Sequence, residues 1–420
     1  MKSKMHVRRD RQYVCPTRQC VRRTWQYGML FLVALSTISS AWADARDQAK
    51  RIHDRIAGVP PNEATLLAMA NEITNNNAIG AALMATDSAD FYNVTLKNFA
   101  APWTNRDESV FVPLDDYQAT IIGLVRDDGD FREILSADIL YVGSGAGIPA
   151  YSNNSNAHYE ALENSGTDLQ ANLQATTQSS LTGVPAGATA GIMTTRSAAK
   201  AFFIDGTNRA MFRFTLRNHL CNDMEQVLDT TRAPDRIRQD VSRSPGGDSR
   251  IFLNNCIGCH SGMDPMAQSF AYYDYIYDDV NDPLGDSGAI SYNGAGAIDP
   301  VTGTRVVSKY FNNNTNFEHG FITTDDSWGN YWRAGQNALL GWDASLPGSG
   351  NGAKEMGREL ANSNAFAQCQ VEKVFTNVCL RPPQDSVDRT QIDSMMVSFQ
   401  SSGYNLKQVF AESAVYCMGD

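Results

Sequence analysis

Long apolar runs are scarce in this chain of 420 residues. The one near the amino terminus, residues 29–38, is about ten residues long, and no later run reaches the roughly 20 residues of a membrane-spanning helix. We therefore expect no membrane span in the rest of the chain. The sequence also lacks a glycine-rich nucleotide loop, a G-x-S-x-G segment and an H-E-x-x-H segment. These absences exclude the usual signatures of nucleotide-binding proteins, serine hydrolases and zinc proteases.

Histidine and cysteine are also few, with six and eight copies respectively. The histidines are not clustered, and only one C-x-x-C spacing occurs. A zinc site built from two such pairs is therefore not indicated. No convincing internal repeat is present, so repeat architectures are not indicated either.

The first 43 residues have the features of a secretory signal peptide. A basic segment precedes the apolar run at 29–38, and Ala41-Trp42-Ala43 matches the small-x-small pattern of signal peptidase sites. We predict cleavage near Asp44 and export of the mature chain to the bacterial periplasm or beyond. Arg22-Arg23 resembles a twin-arginine pair only faintly, and either export route leads to the same compartment.

Removal of this leader makes the protein strongly acidic. The full chain has a formal charge of −11, and residues 1–43 contain eight basic residues and one acidic residue. The mature chain is thus left with 27 basic and 45 acidic residues, a formal charge of −18. Such a surface disfavours nucleic acid and anionic lipid, and it attracts basic protein partners. Solubility alone is the simpler explanation of the charge.

The apolar spacing predicts a mainly α fold. Helical periodicity occurs at residues 45–57, after Pro61, at 115–141, at 192–228, at 358–378 and at 391–399. Residues 151–190 are rich in small polar residues, and 281–353 have the composition of long ordered loops. We predict a signal peptide at 1–43, a helical N-terminal unit at 44–150, a loop-rich connection at 151–190, and a helical ligand-binding unit with long ordered loops at 191–420.

Six cysteines remain after the leader, which is consistent with an oxidising compartment. Two belong to the motif described next. The other four are Cys221, Cys369, Cys379 and Cys417, and they allow three pairings into two disulfides. Cys369 and Cys379 would lie about 15 Å apart on one continuous helix, so in that case they cannot bond to each other.

The strongest chemical signal is Cys256-Ile257-Gly258-Cys259-His260. Two thiols three residues apart reach the two vinyl groups of a haem, and the adjacent histidine ligates its iron from one face. The pattern predicts one covalent haem c, held by Cys256 and Cys259, with His260 as the proximal iron ligand. A redox-active C-x-x-C and a zinc half-site are the alternatives, but the first lacks a thioredoxin-like βαβ context and the second lacks further ligands.

The chain resembles a family of secreted monohaem cytochrome c-like proteins of poorly defined function, related to planctomycete-type cytochrome domain proteins. The resemblance covers most of residues 190–380. It rests on Gly191–Arg196, Gly206–Arg209, Arg243–Asp248, Cys259–Pro265, Thr323–Trp328 and the helical segment Leu360–Cys379. It implies a helical, cytochrome-like protein that binds haem, and it says little about the substrate or the partner.

The sixth iron position separates an electron carrier from a catalyst, because a second protein ligand blocks substrate. Met356 and His319 are the two residues we single out as distal ligands. Met263 and Met266 follow His260 too closely to reach the opposite face from the same helix, so we assign them to the core. Packing of Met356 and simple exposure of His319 are the competing interpretations.

Two arginines precede the motif, and their side chains suit haem propionates. Arg243 and Arg250 bracket a Ser-Pro-Gly-Gly-Asp turn, so guanidinium or backbone N–H groups can face a carboxylate there. The competing interpretation is ordinary surface ion pairing.

These patterns together predict a periplasmic monohaem c-type cytochrome that mediates electron transfer with a redox protein partner. A haem enzyme of peroxidase or oxidase type, with an open sixth position, is the alternative. A binding or scaffold protein that uses haem as a structural staple is a third hypothesis. Stability and partner binding of the haem-free protein would distinguish that third hypothesis.

Overall fold

A computed structural model describes residues 44–232, 235–239, 249–313 and 317–419. The predicted signal peptide at 1–43 lies outside the described residues, as does Arg243. Residues Ala45–Gly419 form one compact unit. Regular structure is mostly helical, which confirms the mainly α prediction.

The chain begins with a group of helices separated by short turns. Pro60 and Pro61 end the first helix, and the side chain of Asn62 caps the second by accepting a hydrogen bond from the Thr65 amide at 2.9 Å. The helices of this part are α1 (Ala45–Ile56), α2 (Glu63–Thr74), α3 (Ala78–Ala85), α4 (Lys97–Ala100) and α5 (Asp116–Arg126), with a π-helical turn at Phe91–Leu96 and 3₁₀ turns at Ala101–Thr104 and Phe131–Leu135.

The segment 151–190 has more regular structure than its polar composition indicates. Its helices are amphipathic enough to bury Tyr159 and Leu162, which pack on the core. The strand in this segment pairs antiparallel with a strand at residues 140–142, where a continuing helix was predicted. The elements are β1 (Leu140–Val142), α6 (Ala157–Asn164), α7 (Leu169–Asn172), β2 (Gln174–Thr176) and α8 (Gln178–Thr182).

Four helices in the middle of the chain carry the motif region. The predicted helical stretch at 192–228 is two helices, because Asp205-Gly206 interrupts it and Cys221, with φ of 52°, ends it. The elements are a 3₁₀ turn at Gly191–Thr194, α9 (Arg196–Phe203), α10 (Asn208–Leu220), α11 (Ser249–Asn255) and α12 (Ile257–Ala267).

The rest of the described chain contains two two-stranded antiparallel sheets and a C-terminal group of helices. The stretch at 281–353 is largely loops and short 3₁₀ turns, as its composition predicts. The elements are β3 (Tyr273–Ile276), β4 (Ala289–Tyr292), β5 (Ser327–Gly329), β6 (Ser349–Asn351), α13 (Gly352–Ala361), α14 (Asn364–Cys379), α15 (Ser386–Ser401) and α16 (Leu406–Tyr416).

The two ends of the described chain share one hydrophobic core. Phe410 of α16 packs edge-on against Phe91 at 5.0 Å and Phe99 at 5.5 Å between ring centroids. The same core continues through Phe212 and Trp332 to the helices around the motif. The boundaries proposed at 150 and 190 stay predictions about the organisation of the sequence.

No helix in the described residues is long and apolar enough to cross a membrane.

Candidate functional site

The Cys256–His260 motif lies at the start of α12. Cys256 is the residue that precedes the helix, and its amide donates a hydrogen bond to the Phe252 carbonyl of α11 at 2.9 Å. The His260 amide then donates to the Cys256 carbonyl at 3.1 Å. Both thiols and the imidazole therefore lie within the first helical turn, so they share one small region of the surface.

The two motif thiols are free, whereas the other four cysteines of the described residues form two disulfides. Cys221 pairs with Cys369, and Cys379 pairs with Cys417. Cys369 and Cys379 both lie on α14 and bond to residues that follow two different helices, as the helical spacing required. Two disulfides are compatible with an extracytoplasmic location. Cys256 and Cys259 are thus partly exposed thiols in a described chain whose remaining cysteines are paired.

A neighbouring segment crosses the motif closely. The Asp229 amide donates to the Gly258 carbonyl at 3.0 Å, and Cys259 Sγ lies 3.7 Å from the Met224 carbonyl oxygen. A Cβ atom on Gly258 would stand 2.2 Å from the side chain of Leu228. A side chain at position 258 would therefore require Leu228 to move. Burial, followed by the negative charges of Glu225 and Asp223, raises the pKa of the Cys259 thiol.

His260 is held by a carboxylate one turn further along α12. Its Nδ1 lies 3.0 Å from Asp264 Oδ1 and 3.2 Å from Oδ2. Arg209 of α10 binds the same carboxylate through Nε at 2.6 Å from Oδ1 and Nη2 at 3.1 Å from Oδ2. Burial opposes ionisation of Asp264, but the charges of Arg209 and His260 outweigh it and hold the pKa of this carboxyl well below its usual range.

The arrangement directs the other imidazole nitrogen outward. An ionised carboxylate only accepts hydrogen bonds, so Nδ1 of His260 is the donor in this pair, and in a neutral imidazole the lone pair then lies on Nε2. Nε2 makes no hydrogen bond to any described residue. The His260 side chain is 26% exposed. A nitrogen in this position can ligate a metal ion.

A small apolar cluster, separate from the main core, borders the first cysteine. Phe252 and Ile257 are its buried members, and Cys256, Ile237 and Phe317 pack against them. The ring of Phe252 also lies 5.5 Å from the His260 ring, centroid to centroid. The motif thus has an apolar wall on one side, which suits the face of a flat apolar group.

The two distal-ligand candidates occupy different surroundings. His319 is 81% exposed, and its ring lies 6.2 Å from that of Phe317, a member of the apolar cluster beside Cys256. Met356 is fully buried in α13 and belongs to the main core. Met263 and Met266 are buried in the core as well, which confirms their assignment.

Two arginines were predicted to bind haem propionates. Arg243 lies outside the described residues, and Arg250 is an exposed residue of α11. The structure instead brings three other arginines beside Asp264, around a narrow cleft: Arg209, Arg236 and Arg238. Sequence analysis missed this group because its members lie in separate segments. The Gly206–Arg209 segment of the family resemblance was the one signal that pointed to it.

Two of the segments that carry the resemblance, Gly206–Arg209 and Thr323–Trp328, contact α12 or the residue directly after it. Besides the bond between Arg209 and Asp264, Asn208 Nδ2 donates to the Ala267 carbonyl at 3.0 Å. Gln268, directly after α12, donates to the Asp325 carbonyl at 3.0 Å. Gly262 lies so close to Trp332 that a Cβ would stand 1.9 Å from its indole nitrogen. These contacts fix the C-terminal half of α12 against the rest of the molecule.

A second buried acidic group, also missed from the sequence, borders a large cavity. Asp115 precedes α5 and lines a cavity of about 810 Å³. Burial, followed by the charge of adjacent Asp116, raises the pKa of Asp115 to about 7. Asp116 accepts hydrogen bonds from the Arg196 amide at 2.8 Å and the Ser197 amide at 3.1 Å. The other charged residues of the lining are Arg106, Glu160, Arg196, Lys200, Asp205 and Asp286.

Comparisons of the chain with protein-family models, with curated proteins and with solved structures give no match. Among the described residues, no three histidine, cysteine, aspartate or glutamate side chains are grouped as a metal site.

Proposed function

We propose that this protein is an exported c-type cytochrome that carries one haem on Cys256 and Cys259, with His260 as an iron ligand, and transfers electrons. One observation carries the proposal: two unpaired thiols and a histidine whose Nε2 bonds to no described residue lie in one helical turn, although the other four cysteines of the described chain form disulfides. This donor set is the one that covalent haem attachment requires.

Each residue has a separate task in this proposal. Cys256 and Cys259 form thioethers with the two vinyl groups, which requires reduced and reachable thiols, and both are partly exposed. Gly258 leaves room for the segment at Met224–Asp229 to lie across the motif. Phe252, Ile257 and Phe317 give one apolar wall that limits access of water.

The bound haem supplies a one-electron Fe(III)/Fe(II) couple, and the chain decides where electrons enter and leave. The 26% exposure of His260 and the partial exposure of both cysteines place the site at the protein surface. A partner can therefore approach closely without opening the fold. The strong negative charge of the mature chain favours a basic redox protein as that partner.

The sixth iron position distinguishes this proposal from the alternative of a peroxidase- or oxidase-like haem enzyme. His319 is the better candidate for a second ligand, because it is exposed beside the apolar cluster that contacts Cys256. Met356 would have to leave the main core. A chain without a second ligand would admit small molecules to the iron, which favours catalysis.

Covalent haem is the first quantity to measure. The full chain would be expressed in a host with c-type cytochrome maturation, denatured, and extracted with acid-acetone. We expect haem colour to stay with wild-type protein and with Asn254→Ala, an exposed neighbour on α11. Replacement of both cysteines by alanine should release all of it. Complete extraction of haem from wild-type protein would refute the proposal.

Optical spectra then separate carrier from catalyst. We expect a low-spin haem that is indifferent to carbon monoxide and cyanide, and His319→Ala should convert it to a form that binds both. Met356→Leu is the matched variant for the other candidate ligand and should leave the spectrum unchanged. A wild-type haem that binds either molecule readily would favour the enzyme alternative.

A further inference from the structure

We infer that Asp264, oriented by Arg209, strengthens His260 as an iron ligand and thereby favours the ferric state of the haem. The inference rests on the proposed function. It concerns a positioning residue, since Asp264 acts only through the imidazole. It also bears on what kind of cytochrome this is, because a stronger histidine ligand lowers the reduction potential.

The geometry gives His260 a charged partner. Its Nδ1 lies within hydrogen-bond distance of both carboxylate oxygens, at 3.0 and 3.2 Å, and the two residues are one turn apart on α12. The Asp264 side chain is only 6% exposed. Water therefore does little to weaken the interaction, and the negative charge acts on the ring at close range.

A carboxylate changes the ligand more than a backbone carbonyl would. It draws the Nδ1 proton towards itself, which raises the electron density and the basicity of Nε2. A more basic ligand stabilises Fe(III) more than Fe(II), because the ferric ion has the higher charge. The ferrous state therefore becomes harder to reach.

Arg209 keeps this carboxylate in place. Its two nitrogens bind both oxygens, at 2.6 and 3.1 Å, and its side chain is only 14% exposed. Neighbouring Asn208 ties the start of α10 to the Ala267 carbonyl at the end of α12. Asp264 thus cannot rotate away from His260 without breaking several contacts.

A second carboxylate offers a matched control. Arg213, one turn after Arg209 on α10, binds Asp223 through Nε at 2.6 Å and Nη2 at 2.5 Å. Asp223 lies close to the motif in space, since the carbonyl of adjacent Met224 contacts Cys259. It makes no contact with His260. The two pairs therefore differ in the contact to the imidazole.

The experiment is an optical redox titration of full-length, haem-loaded wild-type protein, Asp264→Asn and Asp223→Asn, with haem content measured in each. We expect Asp264→Asn to shift the ferric–ferrous equilibrium about tenfold towards the ferrous form, ~59 mV for one electron. Asp223→Asn removes a charge near the motif without a contact to His260, so its shift should be clearly smaller than that of Asp264→Asn. Equal midpoints for wild type and Asp264→Asn at equal haem content would overturn the inference.

A purely structural role for Asp264 would give a different result. It would lower the stability or the haem content without moving the midpoint of the protein that remains. Asp264→Asn leaves Arg209 buried without its partner, so this single variant can fail to fold. The double variant Asp264→Asn/Arg209→Gln removes both charges together, and we expect the same shift in it. Wild-type protein that carries no covalent haem would instead refute the proposed function, so the two failures are distinguishable.

Discussion

Two buried acidic groups in this molecule have opposite properties. Asp264 is 8% exposed and lies against His260 and Arg209. Asp115 is equally buried, at 8% exposure, but its immediate neighbour is another carboxylate, Asp116. The pKa of Asp264 lies well below its usual range, whereas that of Asp115 is raised to about 7.

The difference shows that burial alone does not decide the state of a carboxyl group. Burial raises the pKa of both residues, because it removes the charged form from water. At Asp264 an arginine and a histidine more than offset this effect. At Asp115 the like charge of Asp116 adds to it. Of these two buried aspartates, only the one that a cation contacts directly has a lowered pKa.

The largest expected effect is the loss of the cation beside Asp264. Arg209→Met leaves an uncompensated buried carboxylate, so we expect a loss of about 3–5 kcal/mol in the free energy of unfolding. Arg213→Met is the matched control, because that arginine is 42% exposed and its loss should cost less than about 1 kcal/mol. Denaturant unfolding of both variants measures the difference. Equal losses would contradict the comparison.

Asp115 should make stability depend on pH in the opposite direction from an ion-paired carboxylate. Its folded-state pKa of about 7 exceeds the ordinary aspartate value of 3.8, so the folded state holds a proton that the unfolded state releases. The free energy of unfolding should therefore fall between about pH 4 and pH 7, by at most about 1.4 kcal/mol per pH unit.

Asp115→Asn should remove this dependence while the other charges of the cavity stay in place. The measurement is the denaturant midpoint of wild type and variant at pH 4 to 8. The two curves should meet at the acidic end and separate as pH rises, with the variant more stable. Parallel curves would show that Asp115 is ionised throughout.

A smaller effect should come from the neighbouring carboxylate. Asp116→Asn removes the like charge that raises the pKa of Asp115, so that pKa should fall. The loss of stability with rising pH should therefore be smaller, and the pH at which it levels off should move below 7. The variant also weakens the two amide contacts at the start of α9, at a cost of about 1 kcal/mol. If the loss of stability levels off at the same pH in the variant and in wild type, the charge of Asp116 does not act on Asp115.

The smallest effect should come from an exposed ion pair. Arg46 and Glu63 contact each other at 2.6 Å, with side chains 46% and 64% exposed. Arg46→Met should leave thermal unfolding unchanged within error, because water already stabilises both charges. A clear loss would mean that exposure does not separate strong from weak pairs in this protein.

Local sequence patterns predicted much of the helical framework. The first helix was expected at 45–57 and occurs at Ala45–Ile56, since Gly58 and Pro60 follow directly. The helical prediction at 115–141 was only partly right. The helix ends at Arg126, the chain turns at Asp128 with φ of 54°, and a 3₁₀ turn follows at Phe131–Leu135. The prediction was wrong at residues 140–141, because Leu140–Val142 is a strand that pairs with Gln174–Thr176. Strand pairing across more than 30 residues leaves no helical or loop signal in the local pattern.

The candidate site also combines residues that local spacing identified with a partner that only packing brought close. The spacing of Cys256, Cys259 and His260 is a property of five consecutive residues, so the sequence was sufficient to single them out. Asp264 is one helical turn away, yet its partner Arg209 comes from 55 residues earlier. Neither the bidentate contact nor the cleft shared with Arg236 can be read from composition or periodicity.

The motif, the acidic charge, the mainly helical class and the rule that Cys369 and Cys379 cannot pair if they share a helix all follow from the amino-acid order. The partners of these two cysteines, Cys221 and Cys417, and the contacts between buried charges follow from tertiary packing. The two kinds of property depend on interactions of different range. Helical periodicity and motif spacing depend on neighbours within a few residues, whereas burial and ion pairing depend on elements that packing brings together.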